Sequence, residues 1–416
     1  MKKLFKKSSL ILALLLTTFF LTTNVYAWYI PNKTSFAVGA KYDDNIDTLV
    51  DANNAHTAYS SMGLSYTKKL NNPTMTGVTN LHANGTSYLN SGIVFFSGHG
   101  SADHLGMKFQ NNGSGTFYIK SGISGGTTIN INNYISSLNA LIVWGGCETA
   151  YGTNNAAKLV VDQGVKSSIG WVESVSQNPH TNWLKRFNNK IKDKSTTVSA
   201  AKTSADNHIY LDNNVKTGKI YGFGNYNPWY FMNGGSYSIS SSEANHLRDI
   251  ESLENNQSLI TNNLKLEDAD KIFRRYIEEK YDNNFSNENF VLEITGYDNI
   301  YYDYILYVDD VRTNFGYTIS VEDGKIAKLS DNMNGYSVEE LIELIEKKYE
   351  KETNYKLLDD RFDEKINEEF PNLDNKRYIL TNYYDEEVDK VYRVAVYKIT
   401  DVNNDSIFTV EYRQEI

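Results

Sequence analysis

The chain has a single cysteine among its 416 residues, Cys147. That excludes the disulfide framework that staples many small exported domains. It also leaves the lone thiol to be explained, either as a small buried hydrophobe or as a reactive group. Prolines number only five, in keeping with a globular chain that has enough Ile, Leu, Val, Phe and Tyr to bury a core. Beyond the first 27 residues no stretch is long and apolar enough to span a bilayer, which takes about 20 apolar residues. The acidic second half lacks the basic stripe that nucleic acid requires, so no nucleic-acid partner is expected. The histidines outside one motif (His56, His82, His104, His180, His208 and His246) show no close pair spacing typical of metal sites. No metal or other cofactor is therefore assigned. Calcium dependence stays open, with no diagnostic ligand loop in view.

What is present begins at the N-terminus. Lys2, Lys3, Lys6 and Lys7 precede an uncharged apolar run, Leu10 to Leu21, followed by Val25-Tyr26-Ala27. A basic region, a short apolar region and small residues at the cleavage positions are the parts of a secretory signal peptide. The expectation is an exported, extracellular protein whose mature chain starts at Trp28. A retained N-terminal anchor is the other reading. The remaining length suits two or three domains. Charge divides them: about +4 in the signal segment, about +4 over 28–245 and about −18 over 246–416, within a total of −10.

Over 34–235, strand-like and helix-like stretches alternate. Strands are expected at Ser35–Lys41, Leu64–Leu70, Gly92–Ser97, Ala140–Trp144 and Ser167–Val172. Helices are expected at Ile46–Met62, Gly77–Ala83, Ile131–Leu138, Asn154–Gly164, Asn182–Ile191 and Thr196–Asp206, with a hairpin-like region near 107–128. GIVFFS and ALIVW are continuous apolar runs, as strands buried on both faces require. The alternation implies βαβ units: an α/β domain with a mostly parallel sheet covered on both faces. A Ser-rich stretch near Ile239–Glu243 reads as a linker. Beyond it, a helix at Leu266–Tyr281 with strands near 290–296, 302–309 and 315–321 is echoed by a helix at Val338–Glu350. After an acidic insertion, that second helix is followed by strands near 377–382, 391–399 and 406–413. The expected organisation is a signal peptide at 1–27, an α/β domain at 28–240 and two α+β modules at 241–335 and 336–416, each a helix plus an antiparallel sheet.

In open α/β sheets, ligands bind at the carboxyl ends of the strands. One apolar run ends in Ser97-Gly98-His99-Gly100, the other in Gly145-Gly146-Cys147-Glu148. If the two strands are neighbours, about 5 Å apart, imidazole and thiol share a cleft. A thiol becomes a strong nucleophile as its thiolate, and a nearby imidazole can take that proton and pass it to a leaving amine. The flanking glycines let backbone N–H groups approach a substrate carbonyl, which makes those of Gly100 and Cys147 candidates for an oxyanion hole.

FFSGHG followed by LIVWGGCETAYG resembles the caspase-like cysteine peptidases of clan CD, the group of caspases, metacaspases, gingipains, clostripain and CHAT domains. GCETAYG is most similar to the CHAT version, and VGAKYDDNIDTLVDANNA resembles the first strand and helix of metacaspases. The resemblance covers about 35–235. It implies a secreted cysteine endopeptidase with His99 as general base and Cys147 as nucleophile, acting on protein or peptide substrates through a thioacyl-enzyme. It also implies that residues just after the first strand line the pocket for the side chain preceding the cut. Asp43 and Asp44 stand there, with Glu173 as a second acid, and carboxylates would favour Arg or Lys. The plainer reading of those aspartates is a helix N-terminus, where Asp is favoured anyway. Asp103 is a candidate to orient His99.

The second half resembles PepSY-type modules, which accompany or inhibit secreted proteases. A −18 region tethered to a +4 domain is expected to dock on it, which raises the prospect of a zymogen. Two other functions stand beside the peptidase: a catalytically idle caspase-like adhesion or binding module, and a transpeptidase using the same cysteine.

Overall fold

The computed structural model describes residues 32–42, 46–110, 115–233, 266–281, 289–296, 299–322, 325–349 and 355–416. The first half is built on a six-stranded sheet. Its strands are β1 (Thr34–Gly39), β2 (Tyr66–Asn71), β3 (Ile93–Ser97), β8 (Leu141–Gly145), β9 (Ser167–Trp171) and β10 (Gly218–Gly222), in the order β10-β9-β8-β3-β1-β2. All neighbours are parallel except β10, which runs antiparallel on β9. This is the mostly parallel α/β architecture that the alternating pattern predicts.

Each central strand feeds two cores, because successive side chains point to opposite faces. Ile93, Phe95, Leu141, Val143 and Trp171 pack with helices α1 (Leu49–Ser60), α4 (Gln177–Ile191) and α5 (Val198–Asp206). Val94, Phe96, Ile142 and Trp144 pack on the other face with α3 (Ala156–Asp162). There they also meet the small strands β5 (Gly106–Gln110), β6 (Thr116–Lys120) and β7 (Thr128–Asn130). The two continuous apolar runs in the sequence are thus strands with no solvent face.

A second sheet holds eleven strands and joins the two halves of the chain. Beyond Leu266 the helices are α7 (Leu266–Tyr281), α8 (Val338–Glu346) and α9 (Tyr355–Glu369), α2 (Met75–Val78) and α6 (Pro228–Met232) being short helices of the first half. One antiparallel meander comprises β11 (Phe290–Gly296), β12 (Ile300–Val308) and β13 (Val311–Glu322), with β14 (Lys325–Asp331) paired to β13. The other comprises β15 (Asp374–Asp385), β16 (Lys390–Asp401) and β17 (Ser406–Glu415). The two meet in parallel at Val311↔Asn382. Apolar residues of α7 at i, i+4 and i+8 (Ala269, Phe273, Ile277) bury one face of that helix. Strand β17 then pairs with β4, the dipeptide His99–Gly100, through Ile407↔Gly100, and β4 continues to β5, β6 and β7.

Three sequence expectations fail locally. Ile131–Leu138 forms only a single 3-10 turn at Ile131–Asn133. Gly77–Ala83 is replaced by α2, which starts earlier because Thr74 Oγ1 accepts from the Gly77 N–H at 2.9 Å. The acidic insertion contains the whole of α9.

Candidate active site

Strands β3 and β8 lie side by side in register from Ile93↔Leu141 to Ser97↔Gly145. His99 and Cys147 each follow two residues beyond that last pair, so both leave the same edge of the sheet and line one small cavity. The strand ends approach so closely that side chains are excluded. A Cβ on Gly100 would fall 1.9 Å from the Cys147 carbonyl oxygen, and one on Gly146 would fall 2.8 Å from the Gly98 oxygen. The glycines of the two motifs are there for contact between the two turns.

After Cys147 the backbone turns sharply, with Glu148 at a φ of +57°. Thr149 secures this turn. Its hydroxyl donates toward the carbonyls of Trp144 (3.0 Å) and Gly146 (3.1 Å) and accepts from the Trp171 N–H at 3.2 Å. The Cys-Glu-Thr run thus has a mechanical role: the threonine fixes the turn that projects the thiol. Cys147 Sγ lies 3.5 Å from the Val175 nitrogen and 3.6 Å from its oxygen. The thiol is 6% exposed, and burial, with the Glu148 carboxylate adding to it, pushes its pKa up to about 12 against the easing effect of the Val175 backbone. In this arrangement it is a protonated thiol at neutral pH.

His99 is 4% exposed and lies between two aromatic rings, Tyr42 at 4.0 Å and Phe408 at 4.5 Å between centroids. Tyr42 also fixes the backbone: its hydroxyl accepts from the His99 N–H at 3.4 Å and donates to the Lys108 carbonyl at 2.8 Å. Asp103 directs its carboxylate to the Ser101 hydroxyl, the Leu105 N–H and Lys120 Nζ.

Asp43 and Asp44 lie outside the described residues. Glu173 is exposed and off the cavity, its N–H donating to Thr217 Oγ1 at 3.3 Å. The acid that lines the cavity is Asp51, in the first turn of α1. Its Oδ2 accepts from Ser97 Oγ at 2.7 Å, while its buried Oδ1 makes no well-aligned hydrogen bond. Burial raises this carboxyl to about 6, with the Ser97 and Thr181 hydroxyls lowering it by less. His180, buried in the same lining, has an unpartnered Nε2, and burial depresses its pKa to about 3, so it is a neutral imidazole. Sequence reasoning passed over Asp51 because it sits in a helix, where an early acidic residue is ordinary.

A second buried acid, Asp212, braces the wall of the cavity. Its Oδ2 accepts from the Ser176 N–H at 2.7 Å, the Ser176 hydroxyl at 2.8 Å and the Tyr378 hydroxyl at 2.8 Å. Tyr378 belongs to β15, so the acidic half docks directly beside the cleft. Lys398 of β16 pairs with Glu148, Lys120 with Asp405, and Phe408 and Thr409 of β17 complete the cavity lining. Among the described residues no cluster of three or more His, Cys, Asp or Glu could hold a metal ion, and no helix is long and apolar enough to cross a membrane.

No protein-family model matches the chain, and no curated protein matches it. Among solved structures, it is similar to the crystal structure of the Arg-specific cysteine proteinase gingipain R. That match has a TM-score of 0.33 and 8% identity, covering 93% of this chain and 67% of that one. It is also similar to the complex of Porphyromonas gingivalis RgpB pro- and mature domains, with a TM-score of 0.27 and 9% identity, over 93% of this chain and 69% of the other. Likeness this distant leaves the chemistry of the site to be read from its own residues.

Proposed function

We propose that this chain is an exported cysteine endopeptidase that cuts after Arg or Lys. The observation that carries it is the matched placement of His99 and Cys147, each two residues past the Ser97↔Gly145 pair and both lining one cavity. In the reaction, His99 takes the Cys147 proton and the thiolate attacks the substrate carbonyl carbon. The oxyanion is held by the backbone N–H groups of Gly100 and Cys147. The tetrahedral species collapses as His99 gives its proton to the departing amine, leaving a thioester. His99 then takes a proton from water, whose oxygen displaces Cys147 and releases the acid.

The preference for a basic residue rests on Asp51. A buried carboxylate with one oxygen lacking a well-aligned hydrogen bond, beside a neutral imidazole, suits a guest that brings both positive charge and N–H donors, as a guanidinium or ammonium does. The basic and apolar N-terminal segments support export, which puts the substrates among extracellular proteins and peptides.

A second reading has an observation in its favour. A buried thiol with its pKa raised to about 12 is what an idle, caspase-like binding module would contain. Fluorogenic peptides differing only in the residue before the cut, offered to the wild-type chain, His99→Ala and Cys147→Ala, separate the two. Cleavage after Arg or Lys that disappears in both variants upholds the peptidase. Cleavage that persists in Cys147→Ala, or thiol labelling as slow in wild type as in His99→Ala under every activating condition, overturns it. An added amine captured in the product would make the enzyme a transpeptidase.

A further inference from the structure

Strand β17 is bonded on both sides. One side follows β16 from Asp401↔Ser406 to Tyr392↔Glu415, and the other meets β4 where Ile407 faces Gly100. Three consecutive residues of this strand fall on the candidate centre. Ile407 occupies the backbone edge of Gly100, the expected oxyanion donor, and packs in the same buried cluster as Cys147. Phe408 lays its ring over that of His99. Thr409 Oγ1 donates at 2.8 Å to the Val175 carbonyl, the group that lies 3.6 Å from Cys147 Sγ. The space left is about 30 Å³, enough for about one water molecule and far too little for a basic side chain.

We propose that the C-terminal half is a tethered inhibitor, with Ile407, Phe408 and Thr409 of β17 lying in the path of the substrate and holding the peptidase latent. The inference rests on the peptidase reading above and adds its regulation. An extended peptide binds by adding a strand to an open sheet edge, and β17 already fills the edge offered by His99–Gly100. The strand is an occupant and not a substrate. Ten residue pairs tie it to β16, so its peptide groups stay in the sheet, committed to ladder hydrogen bonds. Phe408 meanwhile covers the imidazole that must receive the thiol proton.

Occlusion and nucleophile inactivity then share one cause. Burial is the largest reason the Cys147 thiol is held protonated, and part of that burial is supplied by β17. Moving the strand readmits water to the thiolate and opens the cavity that contains Asp51. Charge favours the closed arrangement: Lys398 of β16 is paired with Glu148 next to the nucleophile, and Lys120 of the first half with Asp405 at the end of the β16–β17 turn.

The full-length chain tests this through two rates, alkylation of Cys147 by iodoacetamide followed by mass, and hydrolysis of an Arg-containing fluorogenic peptide. The variants are Phe408→Ala and Phe408→Leu, with circular dichroism to establish folding. Phe408→Ala should raise both rates by about tenfold or more, with a smaller rise for Phe408→Leu. Wild type reacting as fast as both folded variants overturns the cover, and hydrolysis by that wild type would leave the peptidase reading intact. Faster alkylation in the variants with no peptide cleaved upholds the cover and overturns the peptidase reading. Should Phe408→Ala fail to fold, Phe408→Leu carries the test, because it keeps an apolar side chain at that position while removing the ring that lies on His99.

Discussion

The contacts between the two halves of the chain differ in kind from one region to another. Away from the cleft, Lys216 reaches both carboxylate oxygens of Asp303 at 2.6 Å, with both side chains fully buried. Thr318 Oγ1 donates to the same aspartate at 2.7 Å. Nearby, the Tyr301 hydroxyl donates to Asp206 at 2.7 Å, and Asn213 Nδ2 donates to Glu293, itself paired with Arg312. At the cleft the contacts are a ring on a ring, one bridge of backbone, the hydroxyls of Thr409 and Tyr378, and the Lys398–Glu148 and Lys120–Asp405 ion pairs. Buried, multiply bonded pairs fix position strongly once formed, whereas ring contacts and pairs with one partly exposed partner fix it less. One contact region is an anchor and the other is a cover, so the cover can be loosened while the anchor holds.

The largest effect should come from cutting the anchor. Lys216→Met leaves Asp303 buried without its cation and is expected to cost about 3–5 kcal/mol, read as a lowered midpoint in thermal or urea unfolding of the full chain. Replacing both partners, Lys216→Met with Asp303→Leu, should return most of that loss, because the penalty belongs to the unpaired charge. If the single variant melts like wild type, the anchor is not where the halves are held.

A smaller effect separates recognition from cover. With the cleft opened by Phe408→Ala, Asp51→Asn should raise KM for an Arg peptide by about 30-fold, equivalent to about 2 kcal/mol, with little change in kcat. The pH dependence has a definite sign. Burial raises the Asp51 carboxyl to about 6, so its charged form is filled above that pH and emptied below it. Binding of an Arg peptide should therefore weaken as pH falls through about 6 and stay flat in Asp51→Asn. A peptide with an uncharged residue before the cut controls for titration of the catalytic groups. An Arg peptide whose KM ignores both the substitution and the pH would assign the basic preference elsewhere.

The anchor and the cover also differ in how far the sequence reveals them. GIVFFS and ALIVW are legible as strands because burial on both faces demands unbroken apolar runs, and their endings place His99 and Cys147 at one edge. The turn itself is legible in part: Gly-Gly before Cys147 announces close approach, but the bracing by Thr149 does not show in its identity. Ile131–Leu138 misleads because its polar side chains compete with the helix. Asn130 Oδ1 accepts from the Asn132 N–H at 3.1 Å, Asn139 Oδ1 from the Ser136 N–H at 2.9 Å, and Ser136 Oγ from the Leu138 N–H at 3.2 Å. The pairing of Ile407 with Gly100 is beyond any local signal. SIFTVEY reads as a strand from its alternation, yet which edge it joins is settled by the docking of the whole acidic half. Charge asymmetry predicts that docking without locating it, since only a few of the many acidic residues make the contacts that matter.

His99 itself carries the comparison down to one ring, and the smallest expected effect follows from it. Its two aromatic neighbours sit on opposite sides of the proposed regulation: Phe408 comes from the C-terminal half, and Tyr42 from the first half, which contains both reacting groups. Tyr42→Phe keeps the ring against the imidazole but removes the hydroxyl that accepts from the His99 N–H and donates to the Lys108 carbonyl. Losing these bonds should lower stability by about 1 kcal/mol, since a typical intramolecular hydrogen bond contributes about that much. In the Phe408→Ala background the same change should lower kcat a few-fold and leave KM unaltered, because it acts on how His99 is held and not on how the peptide is bound. A change confined to KM would mean that the Tyr42 hydroxyl meets the substrate. Equal rates from Tyr42→Phe and its parent would mean that the backbone turn at Gly98–Gly100, packed against the Cys147 carbonyl, is enough to hold the imidazole once the cover is gone.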